Sequence, residues 1–185
     1  MRNALNNISR RACYLSDLKT GGYNSRMNKK LTHMDDTGRA HMVDVGGKPD
    51  SERWAIAKGR VLFSDATLQI ARAGELKKGD LRSVSETAGV LAAKRTSDLI
   101  PFCHPLLHTH IDVKVEFLDE QPGVEITAGV KARGQTGVEM EALTAVSIAA
   151  LTIYDMIKAV ERNARITDIH LVEKHGGTSG DFVSE

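Results

Sequence analysis

Asp155 and Lys158 stand three positions apart inside an otherwise apolar run, LTIYDMIKAV. On a helix this spacing puts carboxylate and ammonium on one face, either as a surface ion pair or as a couple able to move protons. Glu141 precedes Asp155 by 14 positions. That is nearly the same helix face but roughly 21 Å away along the axis. Both can serve one site only if the ligand is long or a second subunit supplies one of them. The stretch Arg133-Gly134-Gln135-Thr136-Gly137-Val138-Glu139-Met140-Glu141 leads from an alternating segment into the helix. Its free N–H groups, with Arg133, suit an anion, although a simple helix start with Glu139 and Glu141 complementing the dipole explains it equally well.

Other groups need the same weighing. Cys103, His104, His108 and His110 crowd one short segment. Pro105 breaks the helix that would align His104 with His108, so a zinc site is disfavoured; His108 and His110 are expected to share a solvent-facing side of a strand. His104 remains a candidate acid, base or donor. The turn GELKKGD, Gly74 to Asp80, has Walker-like glycine spacing but lacks the Lys-Ser/Thr that must follow the second glycine, which excludes that phosphate loop. Its lysines, Lys77 and Lys78, read first as solvated charge. The tail from Lys174 through Gly176, Gly177 and Gly180 could let backbone amides approach a phosphate, or be a flexible end. Arg53, Lys78, Arg133, Lys158 and Lys174 together point to a small polyanion, with no nucleic-acid polymer as partner.

The elements that must hold these groups follow from periodicity. Apolar residues alternate from Arg53 to Phe63 around Gly59, as in a strand with a kink or bulge. Ser64 offers an N-cap to a short helix ending near Gly74, and a second helix runs from Leu81 to about Arg95. Ile111, Val113, Val115 and Phe117 alternate against charged neighbours, and Val124 to Val130 repeats the pattern after a Pro-Gly turn, giving a hairpin. A long helix from about Val138 to Arg162, capped near Asn163, precedes a last strand, Ile166 to Glu173. This order predicts an α+β fold: a ferredoxin-like αβ plait with an antiparallel four-stranded sheet, helices on one face and an extra helix in the first crossover. The uncovered face predicts oligomerisation.

Composition bounds the rest. The 185 residues, 41% hydrophobic, suit one domain. Aromatics at 4% leave few stacking platforms for single strands of nucleic acid. Two cysteines, Cys13 and Cys103, exclude a disulfide scaffold. Apolar runs fall short of the ~20 residues of a membrane span, which predicts a soluble protein without a membrane partner. Residues 1 to 30 hold seven basic residues against Asp17 and carry +6, leaving −5 on residues 31 to 185 of a chain with net charge +1. This Arg-rich, acid-poor start is expected to be a disordered segment targeting the mitochondrial matrix, with a cytoplasmic protein as the alternative, ahead of a catalytic domain over 31 to 185.

Several stretches then join into one pattern: His41-Met42-Val43-Asp44-Val45, Lys78-Gly79-Asp80, Ala92-Ala93-Lys94-Arg95-Thr96 with Asp98 to Leu106, Thr136 to Ala145, Ala149 to Met156 with Lys158-Ala159-Val160, and Gly176-Gly177 with Ser179 to Phe182. From about Leu31 onward the chain closely resembles the MoaC family of molybdenum cofactor biosynthesis. The resemblance implies a cyclic pyranopterin monophosphate synthase, a lyase that releases pyrophosphate from 3′,8-cyclo-7,8-dihydroguanosine 5′-triphosphate. It implies no cofactor, no metal, and a homohexamer built as a trimer of dimers with active sites at the dimer interface. Carried over by motif, Asp155 is the acid/base position and Lys78 and Lys158 the essential lysines. A lysine paired with Asp155 would shuttle protons if burial lowers its pKa. Phe102, Cys103, His104, Met140 and Glu141 become substrate-contacting, and Arg53, Glu139 and Lys174 further pocket residues. Gln135 stands where some members have Lys, and His108 and His110 lie outside the pattern. The alternative to an enzyme is a non-catalytic nucleotide-binding regulatory module.

Overall fold

In the computed structural model, residues 38–178 and 180–184 are described; the expected targeting segment lies outside them. Alternating apolar residues draw three long strands together: β1 (Ser51–Leu62), β2 (His108–Leu118) and β3 (Gly123–Gly134). One side of each is buried, with Ala55, Ala57 and Val61 of β1 beside Val124, Ile126, Ala128 and Val130 of β3. β4 (Arg165–His175) and the two-residue β5 (Phe182–Val183) complete a sheet of order β2-β3-β1-β4-β5, with every neighbouring pair antiparallel. The first four strands have the order of the ferredoxin-like plait. β5 is the departure from the expected four strands.

Among the described residues four helices cover the buried side: α1 (Asp65–Arg72), α2 (Leu81–Ala93), α3 (Thr96–Leu99) and α4 (Glu139–Ile157). α1, α2 and α3 lie in the crossover from β1 to β2, one more short helix than expected. Ser64 caps α1 by accepting from Thr67 N, and Asp80 caps α2 by accepting from Ser83 N at 2.8 Å. The free N–H of Val115 on the edge strand β2 donates to Glu86 of α2 at 2.9 Å, which closes part of that edge. At 19 residues α4 is long and apolar enough to cross a membrane, contrary to the expectation that no run reaches that length. Its apolar surface is used inside the protein, where ten of its residues are buried.

The helix also ends earlier than its composition predicts. Its last residue is Ile157, with Lys158 as the C-cap; Glu161 N still donates to Ile157 O at 2.9 Å, while its side chain reaches the start of α1. The Glu161 carboxylate accepts from Ser64 Oγ at 2.6 Å and Thr67 Oγ1 at 2.7 Å, and these bonds hold its pKa below the usual carboxylate range.

The kink expected at Gly59 is present as a register shift between β1 and β4, from Lys58 opposite His170 to Arg60 opposite Thr167. Glycine is required there by close approach. A Cβ on Gly59 would stand 2.7 Å from Val146 Cγ1 of α4 and 2.9 Å from Ile169 Cγ1 of β4. Gly59→Ala should therefore destabilise the fold by about 1–3 kcal/mol through overpacking, read as a lower denaturant midpoint. An unchanged midpoint would contradict this account of the α4 contact.

Candidate active site

Two clefts open beside the first turn of α4. One, of about 280 Å³, is lined by Phe102, Cys103, His104, Met140 and Glu141, with Val43, Val45 and Lys48 from the preceding loop. The other, of about 170 Å³, holds Arg53, Trp54, Lys174 and His175. They share Lys48, Thr136, Gly137 and Glu139, so they form one continuous surface. The eight residues implied as substrate-contacting or pocket-forming thus meet at one end of α4. Gln135 also lines the second cleft.

The two clefts differ in electrostatic character. Glu141 is only 3% exposed, and burial raises its pKa to about 7, with the neighbouring Glu139 charge adding to the rise. It titrates in the range where a proton is easily taken or given. Burial also raises the Cys103 thiol, reinforced by Glu141, so this cysteine is not an activated thiolate. In the second cleft Arg53 is 8% exposed and donates from Nε to Gly134 O at 3.3 Å. Lys174 Nζ lies 3.4 Å from Glu139 Oε1. Among Arg53, Lys48, Lys174 and Glu139, positive charge exceeds negative, which suits an anionic ligand.

The opposite end of α4 carries a second constellation. Lys78, in the turn between α1 and α2, donates to Asp155 O at 3.0 Å and to the Asp155 carboxylate Oδ2, while Lys158 Nζ sits 2.7 Å from Oδ1. All three side chains are about half exposed. Hydrogen bonds from Lys158 first and Lys78 second lower the Asp155 pKa to about 2, and Asp155 in turn raises that of Lys158. The condition expected for a proton-shuttling lysine, a pKa lowered by burial, is not met at Lys158, which is about half exposed and whose ammonium Asp155 stabilises. Asp155 lies about 21 Å along the helix from Glu141, so one chain does not bring the two ends together.

His108 and His110 do not share a face. The register shifts between them, His108 opposing Ala132 and His110 opposing Lys131. His108 turns toward the helices, where its Nε2 is buried without a hydrogen-bond partner and burial, aided by Lys94, lowers its pKa. Among the described residues no group of three or more His, Cys, Asp or Glu is arranged to hold a metal ion. Sequence reasoning missed Lys48, Trp54 and His175 as cleft residues. For Lys48 the available signal was the Gly46-Gly47-Lys48 turn, in which Lys48 N donates to Val45 O at 2.9 Å.

The sign of the Glu141 shift gives a stability test. Below the unfolded value of about 4.5 both states are protonated; between there and about 7 only the unfolded chain ionises freely, so stability falls as pH rises. Glu141→Gln should be more stable than the parent at pH 8 by an amount on the order of 3 kcal/mol, and nearly equal to it at pH 4. Equal denaturant midpoints at pH 8 would refute the buried, high-pKa carboxyl.

Comparison with known proteins shows the family of the chain. Residues 42–177 match the MoaC family. A protein of Roseiflexus sp. (strain RS-1) named cyclic pyranopterin monophosphate synthase is 55% identical over 155 residues, covering 84% of this chain and 98% of that protein. Its counterpart by name in Parvibaculum lavamentivorans is 56% identical, covering 83% and 96%, and the one in Brucella ovis is 51% identical, covering 84% and 94%. The matched span contains both ends of α4 and, apart from Thr178, the residues that line both clefts, and the chain belongs to the MoaC family.

Proposed function

We propose that this protein is a lyase of molybdenum cofactor biosynthesis that converts 3′,8-cyclo-7,8-dihydroguanosine 5′-triphosphate to cyclic pyranopterin monophosphate and pyrophosphate. The observation that carries the reading is the junction of the two clefts. A buried carboxyl that titrates near neutrality, Glu141, adjoins a cationic cleft at Arg53 and Lys174. A substrate with a heterocycle to rebuild and a triphosphate to hold needs both. Opening and reclosing the ring system requires several proton transfers; in this reading Asp155 is the acid/base group, and Glu141 and His104 assist it as further proton donors and acceptors. Closing the cyclic phosphate requires a substrate oxygen to attack the α-phosphorus. The bond to the bridging oxygen then breaks, and pyrophosphate leaves with the electron pair. Arg53, Lys174 and Lys48 neutralise that charge.

Asp155, Lys78 and Lys158 complete the site from a second copy in this reading, within a hexamer built as a trimer of dimers. Their distance from Glu141 supports it, as do the exposed apolar side chains Leu91, Leu99, Phe102 and Leu107. The composition of residues 1 to 30 supports delivery to the mitochondrial matrix. Import of the full chain into isolated mitochondria, with loss of import on deleting those residues, is the expected result; a chain left outside would favour the cytoplasm.

The direct test is to incubate the protein with the cyclised guanosine triphosphate without added metal. Pyrophosphate and the pterin, followed by fluorescence after oxidation, should appear in equal yield from a particle about six times the 20.2 kDa of one chain. Asp155→Asn should retain substrate binding and lose at least about 100-fold in turnover. Binding without pyrophosphate release by the assembled parent protein would favour the regulatory module instead.

A further inference from the structure

The lining of the cationic cleft includes a cluster that the proposed chemistry does not use. Trp54, the one tryptophan of the chain, stacks on His175 with ring centroids 4.3 Å apart and planes 11° apart. Each ring nitrogen of His175 faces a carboxylate: Nδ1 lies 3.0 Å from Asp181 Oδ2, and Nε2 lies 3.3 Å from Glu173 Oε2. A neutral imidazole has one N–H and would turn a lone pair toward one of these acids; the cation donates to both. The indole face beside it also favours the cation.

Asp181 connects this ring to the glycine loop. Its Oδ1 accepts from Gly176 N at 3.2 Å, so one carboxylate joins the histidine to the start of the loop that Asp181 ends. Gly176 and Gly177 have φ of +90° and +86°, and the loop lies so close to β1 that a Cβ at Gly176 would strike Glu52 O and one at Gly177 the Arg53 guanidinium. The β4–β5 pairing fixes the far side of the loop, through Lys174 opposite Phe182 and Ser184 N donating to Val172 O at 2.7 Å. Gly176 and Thr178 therefore form a wall of the cleft that contains Arg53 and Lys174.

We propose that His175, clasped between Glu173 and Asp181 and stacked on Trp54, is a positioning residue that holds residues 176–178 against Arg53 and so shapes the cleft for a polyphosphate. The inference rests on the proposed role of that cleft. The groups around His175 are Glu173 on its own strand, Asp181 on the loop, and Trp54 from β1; Lys174 acts on Asp181, and Arg53 reaches Gly177 from the other side of β1. The acids outweigh the cations, and Asp181 first and Glu173 second raise the His175 pKa while Asp181 is lowered by His175. The clasp is complete below the raised pKa and loses one hydrogen bond as pH rises through it, so the grip on polyphosphate weakens toward alkaline pH.

The test uses the full chain with inorganic tripolyphosphate as probe. Because Trp54 is the one tryptophan, its emission reports on the ring stacked against it. It should titrate with a midpoint above the ordinary histidine value of about 6.5, and Asp181→Asn should lower that midpoint. His175→Phe keeps a stacking ring without either N–H. At pH 6.5 it should bind tripolyphosphate about 5–10-fold more weakly than the parent, with the gap closing by pH 9, and should raise KM with kcat within twofold. Affinity within twofold of the parent at pH 6.5, or a deficit equal at pH 6.5 and pH 9, would overturn the proposal. If the parent shows no turnover yet tripolyphosphate binding follows this pattern, the synthase reading fails and the clasp stands; the reverse result removes the clasp alone.

Discussion

The close seating of α4 on β1 is the constraint from which both ends of the site follow. Ala55, Ala57 and Gly59 present almost no side chain to the helix, and α4 answers with Ala142, Ala145, Val146, Ala149 and Ala150, all fully buried. Small residues on both partners let the helix axis approach the sheet, and Gly59 marks where the approach leaves no room for a methyl group. Seated this way, the first turn of α4 is covered by the Phe102–His104 loop and the sheet. Glu141 is enclosed with it. At the other end Ile153, Met156 and Ile157 stay buried while Asp155 faces outward, half exposed.

One helix thus holds two carboxyls in opposite states. Glu141 occupies the first turn, where the helix dipole favours the anion by about 0.3–1 kcal/mol. Burial opposes it with a penalty on the order of 3 kcal/mol and wins, so the pKa rises to about 7. Asp155 is close to the C-terminal end, where the dipole disfavours an anion, yet two lysines bring its pKa to about 2. Position along the helix predicts the wrong sign at both ends. Tertiary environment decides each.

That contrast explains what could be read in advance. Strand alternation from Ile111 to Phe117, the Ser64 cap and the irregularity at Gly59 are local features, and each is realised at the residues that announce it. The Asp155–Lys158 pair was legible for the same reason, being fixed by three positions on a helix. Lys78 was not legible from spacing, because it reaches Asp155 across 77 positions of chain; only the resemblance of whole motifs associated them. The shared face of His108 and His110 failed because one irregularity in the β2–β3 register reverses which side a residue faces. The Glu161–Ser64 contact joins residues 97 positions apart, so no local pattern announces it. The near-neutral carboxyl of Glu141 depends on what packs over it, which no residue-level pattern contains.

The electrostatics of the Asp155 cluster also limit how it can act in the proposed reaction. Held by both lysines, this carboxylate is ionised at every physiological pH and is a weak base, because protonation must displace two charge-assisted hydrogen bonds. Its basicity rises when a lysine is drawn to another anion, since removing a nearby positive charge raises a carboxylate pKa. A bound polyphosphate is such an anion, and a lysine side chain is long and flexible enough to exchange partners. If a polyphosphate draws one of these lysines away, phosphate binding and the basicity of Asp155 are linked through one ion pair, because the departure of the cation makes the carboxylate a better base. Glu141 needs no such release, because burial has already brought its pKa near neutrality. Within the proposed reaction, proton transfers at Glu141 can proceed at any stage, whereas those at Asp155 are favoured after the phosphates have engaged the lysines.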